Sequence, residues 1–335
     1  MTDIGIVILG TGRIGSFHAD LLQHRTEGAR VVGVYDVMAE SAQRTAAAVG
    51  AVAYDTVEAA LASDADAVAI ATSTDTHVEL IKAAANAGKA IFCEKPISLD
   101  LNAVDDALAT VAAAGVPLQI GFNRRFDPGH AAVRAAVADG ALGNLRQVRI
   151  TSRDPEPPPI GYVKTSGGIF CDMTIHDFDM ARFVTSAEVT EVYATGAVTV
   201  DPAIGDAGDF DTVTVLLTHA DGTTTMIDNC RQAAYGYDQR VEAFGSLGVA
   251  SSENHANHHT VVRTAAGSHG APVPHFFIER YVPSYLAQWA AFVAAVATGT
   301  PVPVTGADGR APLLMGLAAQ RSVAEHRPVS IDEIG

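Results

Sequence analysis

Residues 170–183 read FCDMTIHDFDMARF, a histidine and three carboxylates among apolar neighbours. If the stretch is one helix, Asp172, His176 and Asp179 stand at i, i+4 and i+7 and share a face, while Asp177 points elsewhere. A histidine titrates near neutral pH and can carry a proton, and carboxylates accept bonds from hydroxyl groups. Taken alone, the pattern fits a solvated amphipathic helix with one satisfied histidine equally well. A second chemical candidate is Lys95 in FCEKPIS, 92–98, at the end of an apolar run. Partly desolvated beside a cationic ring, such a lysine has a lowered pKa and can act on a hydroxyl. Its bland alternative is a solvated strand-end lysine.

A third constellation is VILGTGRIG, in which Gly10, Gly12 and Gly15 form GxGxxG between an apolar run and a helical stretch expected over 13–24. The first glycine permits a tight turn, the second lets a pyrophosphate approach the backbone, and the third lets helix and strand pack closely. The helix N-terminus adds amide donors and the positive end of its dipole. Gly10, Gly12, Arg13, Ile14 and Gly15 are therefore candidate cofactor residues. Asp36 ends the next run, GVYD, where a carboxylate accepts from a ribose 2′-hydroxyl and repels a 2′-phosphate. NAD is expected rather than NADP. In ATSTDTH, 71–77, the residues Thr72, Ser73, Thr74 and His77 are candidates for the same cofactor, as are Glu94 and Lys95. Thr74 or Asp75 serves equally as a helix N-cap.

The elements that must hold these residues follow from hydrophobic patterning. Short apolar runs at 4–10, 29–36, 65–72, 89–94 and 117–123 alternate with helical stretches such as 38–48, 74–87 and 100–114. Continuous apolar strands with helices between them predict a parallel, doubly wound Rossmann sheet over 1–123. The pattern then changes. A helix at 128–139, a strand at 145–154 and a proline-rich loop at 155–162 precede the histidine stretch. Long β-rich runs from 188 to about 264 carry a hairpin signal, ADGT, at 220–223. The segment 124–335 is therefore expected to be an α+β domain for substrate binding and oligomerisation, with a large, open, mostly antiparallel sheet. Helices cover one face, and a second subunit is the expected cover for the other. Helices are expected at 281–298 and 308–326, the latter packing back near the first domain.

Together, GTGRIG, CEKP, GFNRRFD and GGIFCDMTIHDFDMARF resemble the Gfo/Idh/MocA oxidoreductases, nearly end to end. The resemblance implies NAD-dependent oxidation of a secondary hydroxyl on a cyclic polyol, first of all myo-inositol to 2-keto-myo-inositol (scyllo-inosose). Another inositol isomer or a pyranose sugar is the alternative substrate, and a non-catalytic NAD-binding sensor is the alternative from another class. The family pattern places Lys95, Asp172 and His176 as the catalytic set. His176 is then the base for the O–H proton, Lys95 supports the developing oxyanion, and Asp172 orients the substrate or supports the other two. It places Arg124, Asp154, Asp179 and Tyr235 beside the polyol with Lys95, Asp172 and His176. It also implies dimers or tetramers formed through the open sheet. Relatives often read MRRYD where this chain has NRRFD, so Asn123 is a candidate determinant of substrate choice.

Composition narrows the partners. The balance of 22 basic and 38 acidic residues leaves a net charge of −16, unfavourable for nucleic acid or anionic membranes. Three scattered cysteines, Cys93, Cys171 and Cys230, suggest a reducing compartment without disulfides. No secretory pattern and no run of about 20 apolar residues is present, so a cytoplasmic location is expected. The histidines at 255, 258, 259, 269 and 275 match no usual zinc spacing, and no metal is expected.

Overall fold

A computed structural model describes residues 3–256 and 258–335. The chain divides into two compact units. The first holds the described residues up to Asn123 together with Ser284–Ala311, and the second holds Arg124–Pro283 together with Pro312–Gly335.

The first unit alternates strand and helix: β1 (Ile4–Leu9), α1 (Arg13–Arg25), β2 (Ala29–Tyr35), α2 (Ala39–Val49), β3 (Val52–Ala53), α3 (Val57–Leu61), β4 (Ala67–Ile70), α4 (His77–Asn86), β5 (Ala90–Cys93), α5 (Leu101–Ala114) and β6 (Leu118–Ile120). The six strands are all parallel, in the order β3-β2-β1-β4-β5-β6. Ile6, Val7, Ile8 and Leu9 are fully buried, as are all four residues of β4. Each valine, leucine or isoleucine among them contributes about 1.5–3 kcal/mol through burial, which is why these strands read as unbroken apolar runs. The chain winds away from β1 in both directions, so the topological switch lies between β1 and β4, where open α/β sheets bind ligands. The doubly wound Rossmann sheet expected from the sequence is therefore present. β3 and α3 are too short to have shown a period. The segment 284–311 completes the unit: Trp289 and Phe292 pack on Phe92, with ring centroids 4.2 and 6.0 Å away.

The second unit comprises α6 (Pro128–Ala138), β7 (Leu145–Arg153), α7 (Ile160–Val163), α8 (Gly168–Asp172), α9 (Ile175–Thr185), β8 (Val189–Ala197), α10 (Pro202–Asp206), β9 (Thr212–His219), β10 (Thr224–Cys230), β11 (Asp238–Gly245), β12 (Val249–Ser252), β13 (Val262–Thr264) and β14 (Gly267–His269). The helices α11 (Phe277–Thr298) and α12 (Gly306–Glu325) each divide between the units, and β15 (Val329–Ser330) ends the chain. Seven strands form one sheet, β12-β11-β7-β10-β9-β8-β15, antiparallel throughout except for the parallel pair β7–β10. ADGT makes the β9–β10 turn, with Gly222 at φ +87°, a conformation that glycine adopts without strain. One face packs α9, with Phe178, Met180, Ala181 and Val184 buried against Val148, Ile150, Val215 and Ile227. The other face leaves Tyr193, Leu216 and Met226 paired in a row across β8, β9 and β10, and each is partly exposed.

The histidine stretch is not the single helix its spacing predicts. α8 ends at Asp172 and α9 begins at Ile175. At the break, the Thr174 N–H donates to Ile169 O at 2.9 Å, and the buried Thr174 hydroxyl donates to Asn229 Oδ1 at 2.6 Å. A side-chain bond to β10 competes with continuation of the helix. The shared face inferred for Asp172, His176 and Asp179 therefore does not exist as one helical stripe.

Candidate functional site

The glycine loop is built as its sequence requires. Gly10 has φ +91°, and a Cβ there would lie 2.7 Å from the Ala71 backbone. A Cβ on Gly15 would fall 1.9 Å from Gly10 O, so only glycine lets α1 sit against the loop. Around Gly12, by contrast, a Cβ would meet nothing within 4 Å, and no side chain caps α1. Open space at a helix N-terminus with uncapped amides fits a pyrophosphate. Arg13 and Ile14 form the first residues of that helix. Asp36 lies at the carboxyl end of β2; its Oδ2 accepts from the Thr11 N–H and hydroxyl at 2.6 and 3.0 Å, and its Oδ1 accepts from Met38 N–H at 2.8 Å. These bonds fix the carboxylate beside the loop.

Two further loops at the same edge meet at His77, which is 1% exposed. Its Nδ1 lies 2.8 Å from Pro96 O and its Nε2 lies 3.2 Å from Thr72 O. Burial lowers its pKa. A neutral ring donates through one nitrogen only, and the shorter contact assigns that proton to Nδ1. His77 thus donates to the Pro96 carbonyl, just after the cis Lys95–Pro96 peptide, while its Nε2 edge lies beside Thr72 O without donating to it. Thr72 Oγ1 accepts from the Thr76 hydroxyl at 2.7 Å. Ser73 precedes the 3-10 turn Thr74–Thr76 without capping it through its side chain, and neither Thr74 nor Asp75 caps α4. Glu94 and Lys95 follow β5, and both are partly buried.

In the second unit Asp172 is held from two directions. Its Oδ1 accepts from the Tyr162 hydroxyl at 2.8 Å and its Oδ2 from Arg231 Nη1 at 3.1 Å. Arg231 is 1% exposed and also reaches Asp209 at 3.4 Å. Sequence reading missed Arg231 and Tyr162; a lone arginine directly after a half-apolar strand was the available signal for the first. Asp154, just past β7, has its carboxyl pushed up to about 6, first by burial and also by Asp172, with Arg231 and Arg124 opposing. His176 is the second residue of α9 and partly buried.

Three other candidates carry internal partners. Arg124 is buried, donating to Asp177 at 2.7 Å, Ser152 at 2.9 Å and the Tyr237 hydroxyl at 3.4 Å. Asp179 is buried and accepts from Arg125 Nε and Nη2 at 2.9 and 2.6 Å. Tyr235 has a half-exposed ring, while its hydroxyl accepts from Arg153 at 3.0 Å and donates to Asp238. Asn123 is buried, and its Nδ2 has no hydrogen-bond partner among the described residues. No group of three His, Cys, Asp or Glu side chains suited to a metal occurs among the described residues.

A parallel sheet, a phosphate-ready glycine loop, an acidic ribose position and a lysine at the switch edge define an NAD-binding dehydrogenase. Family comparison agrees: residues 4–122 match the oxidoreductase family with NAD-binding Rossmann fold, and residues 130–251 match the GFO/IDH/MocA C-terminal domain. The chain belongs to the Gfo/Idh/MocA family of oxidoreductases. It is 48% identical to inositol 2-dehydrogenase of Rhizobium meliloti over 97% of this chain and 98% of that protein. It superposes with a TM-score of 0.94 on myo-inositol dehydrogenase of Corynebacterium glutamicum, 39% identical over 98% of each chain. It also superposes with a TM-score of 0.93 on scyllo-inositol dehydrogenase of Lactobacillus casei with bound NAD(H) and scyllo-inositol, 28% identical over 99% of this chain and 100% of that one.

Proposed function

We propose that this chain oxidises a secondary hydroxyl of a cyclic polyol with NAD, and that its preferred substrate is myo-inositol, giving 2-keto-myo-inositol. The observation that carries the reading is Asp172, a carboxylate fixed by Arg231 and Tyr162 four residues before a histidine, in a chain nearly half identical to an inositol 2-dehydrogenase. NAD supplies the hydride acceptor when bound. The chain's own residues bind, orient and move the proton.

In this reading His176 takes the hydroxyl proton, Lys95 donates a hydrogen bond to the oxygen as negative charge grows, and Asp172 fixes the geometry. Asp154 accepts from a polyol hydroxyl. Asn123 offers its unpartnered amide donor to substrate and sets the isomer preference. Arg124, Asp179 and Tyr235, with polar atoms engaged inside the second unit, take a positioning part around the polyol site. The protein acts as a homo-oligomer, built through the exposed sheet face, in the cytoplasm. A second reading within the same chemistry, scyllo-inositol, is favoured by the likeness to the L. casei enzyme.

The test is NADH formation from NAD with myo-, scyllo- and chiro-inositol and glucose. The highest kcat/KM on myo-inositol is expected. A far higher value on another member reassigns the substrate to that polyol, and bound NAD without any reduction across the panel returns the sensor reading.

A further inference from the structure

Glu94 is held by residues that the sequence never placed near it. His18, on α1, is fully buried, and its Nε2 lies 2.8 Å from Glu94 Oε1. The Trp289 indole N–H, from α11, donates to His18 Nδ1 at 3.0 Å. An indole nitrogen only donates, so Nδ1 must accept and the ring proton resides on Nε2, directed at Glu94. A second proton on His18 would have to displace the Trp289 bond. The ring is enclosed by Phe92 and Tyr285, each 5.6 Å away, and by Trp289 at 5.2 Å. The carboxylate rests over Gly121 at the end of β6, where a Cβ would lie 2.9 Å from Oε2. His18 and Gly121 thus flank one carboxylate at the carboxyl end of β5, next to Lys95, and Trp289, Phe92 and Tyr285 fix the His18 ring behind it.

We propose that His18 and Trp289 are positioning residues that hold the Glu94 carboxylate in place at the cofactor site, so that the site binds NAD+, whose nicotinamide ring is cationic, in preference to NADH, whose ring is neutral. The inference rests on the NAD-dependent oxidation proposed above and adds which redox form the empty enzyme selects. The Trp289 N–H fixes the His18 tautomer and ring orientation, so that the Nε2–H stays aimed at Glu94.

The experiment is calorimetric titration of NAD+ and NADH, without polyol, into the full-length protein and its variants. Wild type is expected to bind NAD+ more tightly than NADH. His18→Leu weakens NAD+ on the order of tenfold and leaves NADH unchanged, the scale of one unpaired charge interaction. His18→Gln keeps an N–H donor toward Glu94 and restores most of the preference. Trp289→Phe releases the His18 ring and loses part of the NAD+ preference while leaving NADH unchanged. Equal losses for both cofactor forms, or wild-type preference in both His18→Leu and Trp289→Phe, overturn the proposal. If His18→Leu fails to fold, the other two variants decide. Polyol oxidation by the wild type is assayed separately: if it stands while the relay effects are missing, only the relay is wrong.

Discussion

At the scale of single residues, the proposed reading makes His176 the base and Asp154 a partner for a polyol hydroxyl. His176→Ala is expected to lower turnover by about 10²–10⁴, the usual worth of a positioned base, while NAD affinity measured by titration stays nearly intact. Equal loss of both would make the residue structural. Burial pushes the Asp154 carboxyl up to about 6, against about 3.9 for an unperturbed aspartate. A raised carboxyl pKa means that the folded chain holds the proton more tightly, so stability falls as pH rises from about 4 to about 6 and stays lower above. Asp154→Asn should therefore raise the melting temperature at about pH 8, by an amount worth about 1–3 kcal/mol, with the gain vanishing near pH 4. A gain that is independent of pH would contradict the assignment. The residues legible in the sequence were those whose chemistry is local. Gly10, Gly12 and Gly15 are read from a loop whose backbone geometry is set within a few positions, and Asp36 from its place at the end of the next apolar run. Arg231 and Trp289 were illegible because each meets its partner, Asp172 or His18, across 59 and 271 residues of chain.

At the scale of elements, β1, β4 and β5 were visible because burial on both faces leaves no polar position within them. The α8–α9 break was not visible, because Thr174 departs from the helix for a partner on β10 that helical periodicity cannot reveal. That break is what frees Asp172 for Arg231 while α9 turns Asp177 and Asp179 inward. Asp177 is fully buried and accepts from Arg124, Ser152 and Asn229; burial raises its pKa against the pull of these partners. Removing one partner of a buried pair leaves an uncompensated charge, so Asp179→Ala should destabilise the fold by about 3–5 kcal/mol through Arg125. Thermal unfolding checks this. A variant that melts like wild type but has a raised KM for polyol would make Asp179 a substrate ligand instead.

At the scale of the whole molecule, the open sheet presents Tyr193, Leu216 and Met226 as neighbours in one row. A second copy of the chain is the expected cover. Leu216→Glu should lower the mass measured by light scattering and leave the secondary structure unchanged; an unchanged mass would show that this face is not the interface. The alternation of exposed and buried residues along β9 made the face foreseeable. A return of the C-terminal part to the first unit was expected for the helix at 308–326; that Ser284–Ala311 belongs to this unit was not read, because a helix does not record in its own sequence which sheet it will cover.

Hydride transfer from a specific carbon of a cyclic polyol to NAD is the proposed reaction, and incubating the protein with NAD and myo-inositol deuterated at C2 follows that hydride. Mass spectrometry of the reduced cofactor should show one deuterium per molecule, with slowed turnover if hydride transfer limits the rate. Unlabelled NADH would place oxidation at another carbon, and bound but unreduced NAD would contradict the claim that this chain is a myo-inositol dehydrogenase.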